Sequence, residues 1–165
     1  LDTLTMLILI FVLCPLIQLS GALIGRKAPH KCLNYNSWLY RTRKWEKQGK
    51  IYRNLLVHKW KGLLPDGAKY FKNDFTKKHL LSTDPEYIKL FIKESCRAEL
   101  VHWLGMLPFI VFFIIVPPLI AGIITVYALI VNLPCIIAQR YNRPRLVKLY
   151  EILIERNNKT QNSQA

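Results

Sequence analysis

Residues 96–146 read CRAELVHWLGMLPFIVFFIIVPPLIAGIITVYALIVNLPCIIAQRYNRPRL, and this stretch decides the fold. It has no charged residue between Glu99 and Arg140, which predicts a segment embedded in a lipid bilayer. A single helix of that length would extend about 60 Å, whereas the hydrocarbon core is about 30 Å thick. Two spans fit better, at residues 99–116 and 119–138. We place the break at Pro117-Pro118, because neither proline supplies an N–H to a helix.

A hairpin of two spans returns the chain to the side of the membrane from which it started. The polar residues at its two ends are therefore expected to share one membrane surface. They are Glu99, His102, Arg140, Asn142, Arg143 and Arg145.

A further apolar run of spanning length occupies residues 4–24. The positive charges of Arg26 and Lys27 follow this run, whereas a signal peptide carries its charges in front, so we expect a retained anchor with its N-terminus outside. The fold class is then an all-α membrane protein with three transmembrane helices. Its expected segments are an anchor at residues 1–25, a basic cytoplasmic or interfacial segment at 26–98, the hairpin at 99–139 and a basic cytoplasmic tail at 140–165. Within the tail, residues 146–153 are expected to form a short amphipathic helix, and disorder is expected from Asn157.

The composition combines 52% apolar residues with a net charge of +14. Residues 37–64 interleave aromatic with basic side chains, a pattern that also occurs in nucleic-acid-binding proteins. Beside a bilayer, the same pattern is typical of an interfacial segment, because Trp and Tyr lie at headgroup depth and each Lys or Arg gains about 1 kcal/mol near anionic lipid. We therefore expect membrane lipids, and no nucleic acid, as partners at the cell membrane.

Several local signals supplement this topology. The LPDG sequence at residues 64–67 predicts a turn. The TDPE sequence at residues 83–86 predicts a helix start, either through a capping box of Thr83 and Glu86 or through Asp84 as the N-cap with Pro85 in the first turn. The four cysteines have neither paired nor metal-type spacing, so packing thiols are expected and no metal site is.

Glu99 and His102 are three residues apart and share one face of a predicted helix near the membrane boundary. A carboxylate beside a histidine can fix its tautomer and raise its basicity, which suits a general base. In the alternative reading, Glu99 pairs with a cation such as Arg140, and His102 lies with Trp103 in the interfacial belt. A di-iron site would need a second E-x-x-H motif and further carboxylates.

Two further stretches contain candidate groups. His79 and Asp84 have the H-x-x-x-x-D spacing of glycerolipid acyltransferases, but helix capping is a sufficient explanation for Asp84. His58 is read as an interfacial residue. The QRYNRPRL sequence places three arginines within six residues, and arginine forks bind phosphate in a bidentate manner. This cluster predicts either a phosphate site or generic positive-inside anchoring.

Five sequences occur here in one order: WEKQGK at residues 45–50, KWKGLLPDG at 59–67, KKHL at 77–80, RAELVHW at 97–103 and QRYNRPRL at 139–146. Together they resemble the glycosyl-4,4'-diaponeurosporenoate acyltransferase family of Gram-positive bacteria. The likeness covers most of residues 45–153. It implies a membrane enzyme that moves a fatty acyl group onto a sugar hydroxyl of a glycosylated carotenoid acid in staphyloxanthin-type carotenoid biosynthesis.

Such an enzyme needs a base for the sugar hydroxyl and donors that hold the developing oxyanion. We assign the base to His102 oriented by Glu99, with His79 or Asp66 in reserve. The predicted donor-phosphate-binding residues are Arg97, Arg140, Asn142, Arg143, Arg145, Lys59 and Lys61. The acyl donor is acyl-coenzyme A or acyl-carrier protein, used as a substrate, and no bound cofactor is expected. The alternative is a non-enzymatic scaffold or lipid-binding subunit of a lipid-biosynthesis complex, and the oligomeric state stays open.

Overall fold

A computed structural model describes residues 3–64 and 80–162, and within these residues the chain forms helices and turns with no strand. The α-helices are α1 (Thr3–Arg26), α2 (Ile51–Asn54), α3 (Val57–Trp60), α4 (Pro85–Met106), α5 (Phe112–Ile115) and α6 (Pro118–Asn162). Short 3-10 turns lie at His30–Cys32, Lys44–Glu46, Lys61–Leu63 and Leu107–Val111. The all-α prediction is confirmed. Three stretches, Leu4–Arg26, Pro85–Ile115 and Pro118–Lys159, are long and apolar enough to cross a membrane, as the three predicted spans require.

The chain forms two compact units. The first unit comprises the described residues of Leu1–Pro29 and Arg97–Ile136. The second comprises those of His30–Cys96 and Ile137–Ala165.

In the first unit, glycines allow α1 to pack closely against α4. A Cβ on Gly21 would lie 2.8 Å from the backbone nitrogen of Gly105, and one on Gly25 would lie 2.6 Å from the Val101 side chain. Gly21 and Gly25 are spaced four residues apart, so they lie on one face of α1 as a small-xxx-small motif for helix packing in membranes. Beyond this contact, the buried apolar core is formed by Phe109, Phe112, Val116, Ala121, Ile124 and Ala128.

Prolines determine where the helices of the first unit are interrupted. α4 gives way to a 3-10 turn at Leu107–Val111, which contains Pro108, because proline cannot donate to a carbonyl one turn earlier. α5 ends at Ile115 and α6 begins at Pro118, so the predicted break at Pro117-Pro118 is confirmed. The interruption at Pro108 was not anticipated.

The start of α4 distinguishes the two predicted caps. The backbone N–H of Tyr87 donates to Asp84 Oδ2 at 3.0 Å, and the helix begins at Pro85. Asp84 is therefore the N-cap, with Pro85 in the first helical position. This structural role also accounts for the aspartate of the H-x-x-x-x-D spacing.

The second unit folds residues 30–63 against the latter part of α6. Tyr52 and Val57 are buried with Tyr141 of α6. A tight turn precedes α2, in which Lys47, Gln48 and Gly49 all have positive φ. A Cβ on Gly49 would lie 3.2 Å and 3.3 Å from two backbone carbonyls of α6, so this turn rests directly on the helix backbone.

Two expectations about this part of the chain need correction. The aromatic side chains of residues 37–64 do not all lie at the surface: Tyr40 and Tyr52 are buried, whereas Trp38 and Trp45 are exposed. The disorder expected from Asn157 does not occur up to Asn162, because α6 continues as one helix that contains no glycine or proline after Pro144. The predicted turn at LPDG lies largely outside the described residues.

Candidate active site

A histidine–asparagine pair joins α4 to α6 inside the first unit. His102 Nδ1 lies 3.0 Å from Asn132 Oδ1, and Asn132 is 1% exposed. The amide nitrogen of Asn132 donates to the carbonyl of Ala128 at 2.9 Å, which leaves its oxygen for the histidine. An oxygen acceptor requires the proton to be on Nδ1, so Nε2 becomes the basic nitrogen of His102. Asn132 therefore orients the ring and selects the tautomer that suits a general base.

Glu99, the predicted orienting carboxylate, is fully buried on the same helix. Its Oε1 accepts a hydrogen bond from Trp103 Nε1 at 3.2 Å. The described orienting contact of His102 is thus with Asn132, while the part of Glu99 in catalysis stays a prediction.

Gly105 lies one turn after His102 on α4 and is the meeting point of two carboxamides. A Cβ at this position would be 2.6 Å from Gln18 Oε1 and 3.2 Å from Asn132 Oδ1. The absence of a side chain on Gly105 therefore lets Gln18 of α1 and Asn132 of α6 approach the same point. We call Gln18, His102 and Asn132 the carboxamide–histidine cluster.

A second arrangement of candidate residues lies in the second unit, where two cations lie close to one aromatic ring. Arg145 is exposed and its guanidinium carbon lies 3.7 Å from the centre of the Tyr141 ring, while Lys61 Nζ lies 5.1 Å from the same ring. Lys61 Nζ also donates to Asn142 Oδ1 at 2.7 Å. Burial lowers the pKa of Lys61, and repulsion from Arg145 lowers it further. Among the described residues, neither cation forms an ion pair with a carboxylate, so an anion would stabilise this pair of charges.

Two other arginines of QRYNRPRL form hydrogen bonds to residues inside the second unit. Arg140 Nη1 donates to the buried Glu46 at 2.9 Å, and its Nη2 donates to the carbonyl of Leu39 at 2.6 Å. Arg143 is 2% exposed and donates to Ser95 Oγ, at 2.8 Å, and to backbone carbonyls. These contacts favour a structural role for Arg140 and Arg143, and they leave Arg145 as the exposed arginine of the motif.

Glu46 is held by several donors despite its burial. Burial alone would raise the pKa of Glu46, but hydrogen bonds from Tyr52, the backbone of Arg43 and Arg140, together with the charge of Arg140, outweigh it and lower the pKa below the usual range. Glu46 is therefore a buried carboxylate that stays ionised.

The remaining predicted site residues do not lie together in the part of the chain that the structure describes. Arg97 Nη1 donates to carbonyls at the end of α1, among them those of Arg26, at 2.5 Å, and Ala28, at 2.8 Å. These carbonyls end a helix and need donors from elsewhere, which a cation there supplies. Lys59 is exposed on α3. His79 and Asp66 lie outside the described residues, and within residues 3–64 and 80–162 no three His, Cys, Asp or Glu side chains gather as a metal site.

Sequence reasoning missed Asn132, Gln18 and Glu46. Asn132 and Gln18 each interrupt an apolar run, and polar side chains at membrane depth are functional candidates, so this signal was present in the sequence. Glu46 gave no such signal, since it stands among many charged residues.

Comparison with known proteins supports the resemblance found in the motifs. The family model for glycosyl-4,4'-diaponeurosporenoate acyltransferase matches residues 36–152. Proteins of that name from Staphylococcus aureus strains bovine RF122 / ET3-1, MRSA252 and USA300 are each 38% identical to this chain over 142 residues, which cover 86% of both chains. No solved structure matches. Because both the family model and full-length relatives match, the chain belongs to the glycosyl-4,4'-diaponeurosporenoate acyltransferase family.

Proposed function

We propose that this protein is an integral-membrane enzyme that transfers a fatty acyl group from a thioester donor to a sugar hydroxyl of a glycosylated carotenoid acid or a similar glycolipid. The acyltransferase class follows from the family, and the named relatives act on a glycosylated diaponeurosporenoate. The observation that carries the proposal for this chain is the hydrogen bond of His102 to Asn132.

His102 is the general base of the proposed reaction. Its Nε2 accepts the proton of the sugar hydroxyl while the hydroxyl oxygen forms a bond to the thioester carbonyl carbon. The carbonyl π electrons move to oxygen and give a tetrahedral oxyanion. Collapse of this intermediate restores the carbonyl, breaks the carbon–sulfur bond and expels the thiolate, which takes the proton from the imidazolium. The products are an ester and a free thiol, and no acyl-enzyme is needed.

The donor is an acyl thioester with a phosphorylated carrier, either coenzyme A or an acyl-carrier protein. Support comes from Lys61 and Arg145, two cations that both lie near the Tyr141 ring and have no carboxylate partner among the described residues. Phosphate oxygens accept charge-assisted hydrogen bonds from both side-chain types, with Asn142 as a neighbouring polar group.

The protein is proposed to work in the cell membrane as a multi-pass protein with most of its polar residues on the cytoplasmic side. The apolar side chains exposed on the first unit support a lipid-facing surface: Phe11 is 83%, Ile114 is 87% and Leu119 is 78% exposed. Such surfaces fit hydrocarbon and not water.

The test compares acyl transfer by the purified protein in lipid nanodiscs for wild type and His102→Gln. A radiolabelled long-chain acyl-coenzyme A is the donor, and the lipid extract of a host strain that lacks the gene supplies the acceptor. Loss of general-base catalysis should lower kcat by about 10²- to 10⁴-fold. Thr125→Val is a matched control, because Thr125 is a polar residue of α6 whose described hydrogen bond lies within its own helix, to the carbonyl of Ala121.

Lipid mass spectrometry of the same strains identifies the acceptor as the species that gains one fatty acyl mass when the gene is present. Full activity of His102→Gln would refute the assignment of the base. An unchanged acylated-lipid profile in the deletion strain would refute acyl transfer and favour the scaffold alternative.

A further inference from the structure

We propose that Gln18 is a catalytic residue whose carboxamide N–H binds the thioester carbonyl oxygen and stabilises the oxyanion that develops there. This inference rests on the acyl transfer proposed above and assigns a second group to the reaction. It starts from one observation in the first unit. Gln18 Nε2 is buried and has no hydrogen-bond partner among the described residues.

A buried amide N–H without a partner is costly, so native proteins rarely retain one without a ligand or a water molecule to fill it. Gln18 also lies within a largely apolar candidate membrane span, where a glutamine is energetically costly. A ligand oxygen would satisfy this donor.

The position of Gln18 connects it to the proposed base. Its carboxamide and that of Asn132 both approach the point where a Cβ on Gly105 would lie, at 2.6 Å and 3.2 Å. Asn132 in turn contacts His102 at 3.0 Å. The Gln18 side chain, whose Oε1 lies nearest this point, therefore belongs to the same cluster as the group that activates the sugar hydroxyl.

The nitrogens of two other polar side chains in this region each have a described acceptor. The Asn132 amide nitrogen donates to Ala128, and the Trp103 indole donates to Glu99. Because His102 must accept a proton at Nε2, it does not serve as the oxyanion donor during the attack. Gln18 is the group of the cluster whose buried amide nitrogen has no acceptor among the described residues, so we assign it the N–H for the carbonyl oxygen.

In the reaction, the hydroxyl oxygen bonds to the carbonyl carbon and the π electron pair moves onto the carbonyl oxygen. The Gln18 N–H donates to this oxygen without transferring its proton. As the thiolate leaves with the proton carried by His102, the carbonyl re-forms and the hydrogen bond weakens. A donor that acts mainly on the oxyanion raises kcat more than it strengthens donor binding.

The test measures kcat and the KM for acyl-coenzyme A in nanodiscs for Gln18→Met, which keeps the length of the side chain and removes the donor. We expect kcat to fall by about 10²- to 10³-fold, the loss typical of an oxyanion donor, with little change in KM. Ser20→Ala is the matched control on the same helix, because the exposed Ser20 hydroxyl donates to the Ile17 carbonyl of its own helix and has no other partner among the described residues; it should retain wild-type kcat.

A second variant keeps the proposal testable if Gln18→Met does not fold. Gln18→Asn keeps the polar amide but shortens the side chain by one carbon–carbon bond, so the N–H donor lies about 1.5 Å closer to the helix backbone. A displacement of about 1 Å can cost 10²-fold in rate, so kcat should again fall while thermal unfolding stays near that of wild type.

The outcomes separate this proposal from the proposed function. If both Gln18 variants keep wild-type kcat while His102→Gln is inactive, the role of Gln18 is overturned and the acyl transfer stands. If His102→Gln is also fully active, the assignment of the base falls as well. A loss that appears in KM or thermal stability alone, with kcat unchanged, would make Gln18 a packing residue and would overturn the proposal.

Discussion

Replacing Glu46 by glutamine tests how the second unit is held together. The substitution keeps the shape of the side chain and removes one charge. In the wild-type protein the Glu46 carboxylate is 1% exposed and accepts from Tyr52 Oη at 2.5 Å, Arg140 Nη1 at 2.9 Å and the backbone N–H of Arg43. Arg140 is 13% exposed, so its guanidinium would be left buried without its counter-charge.

The expected decrease in the free energy of unfolding follows from these three hydrogen bonds. A hydrogen bond to a charged group contributes about 1.5–3 kcal/mol and a neutral one about 0.5–1.5 kcal/mol. Two bonds can persist to the glutamine oxygen as weaker neutral-acceptor bonds, whereas the third is lost because the new NH2 group cannot accept, so the total loss is roughly 3–5 kcal/mol. Removing one member of a buried ion pair costs about 3–5 kcal/mol, which agrees. For a chain of this size, each kcal/mol lowers the melting temperature by about 2–4 °C, so we expect a decrease on the order of 10 °C.

Thermal unfolding of the purified protein in detergent, followed by intrinsic tryptophan fluorescence, measures this decrease. Glu86→Gln is a matched control with the same chemical change. The Glu86 side chain is 74% exposed and its pair with Lys89, at 3.3 Å, is at the surface, so its loss should change the free energy of unfolding by less than about 0.5 kcal/mol.

The pH dependence supplies a second check. Because the pKa of Glu46 is lowered in the fold, its contribution to stability is present above the pKa of the unfolded chain and is lost as the pH falls through the folded pKa. The difference in melting temperature between wild type and Glu46→Gln should therefore be constant near neutral pH and shrink in acid, below the ordinary value of 4.5. Equal effects of Glu46→Gln and Glu86→Gln at neutral pH would refute the buried-pair reasoning.

Two further predictions concern the turn and the cations that contact α6. Gly49→Ala should destabilise the protein by about 1–3 kcal/mol in the same thermal assay, because φ is +79° and the new Cβ would press on helix carbonyls. Gly62→Ala, where nothing lies within 4 Å, should stay within about 0.5 kcal/mol of wild type, and equal losses would contradict this account. Lys61→Met should raise the KM for acyl-coenzyme A by about tenfold or more through loss of a charge-assisted hydrogen bond to phosphate. Lys59→Met on the exposed neighbour should leave the KM nearly unchanged, and a similar rise there would indicate a diffuse electrostatic effect and not a site at Lys61.

The sequence was sufficient for features that depend on local or one-dimensional signals. The length of the uncharged run between Glu99 and Arg140 predicted two spans, and Pro117-Pro118 predicted their break. The TDPE sequence predicted the start of α4, with Asp84 followed by Pro85 as one of its two candidate caps. Each of these follows from residues adjacent in the chain and from the chemistry of a proline or a cap.

Contacts between residues that are far apart in the chain could not be predicted from the sequence. Glu46 and Arg140 are 94 positions apart, and each stands among several residues of the same charge. His102 contacts Asn132, an amide 30 residues away on another helix, and the local spacing of Glu99 and His102 gave no indication of this contact. Spacing made His102 a candidate base, but only the packing of α4 against α6 shows its contact with Asn132.

The arginine motif of α6 illustrates how one run of like charges divides between two roles. Its exposed member, Arg145, lies over the Tyr141 ring, near which Lys61 also lies. Arg140, in contrast, forms an ion pair with the buried Glu46. Proline at position 144 has no N–H, so the Arg140 carbonyl one turn earlier lacks its usual intrahelical donor. Gly49 approaches this same carbonyl and the ring of the proline, which only a residue without a side chain can do closely. The WEKQGK and QRYNRPRL motifs are thus two halves of one packing arrangement: a carboxylate and a glycine from the first meet an arginine and a proline from the second, and Arg145 is left at the surface for an anion.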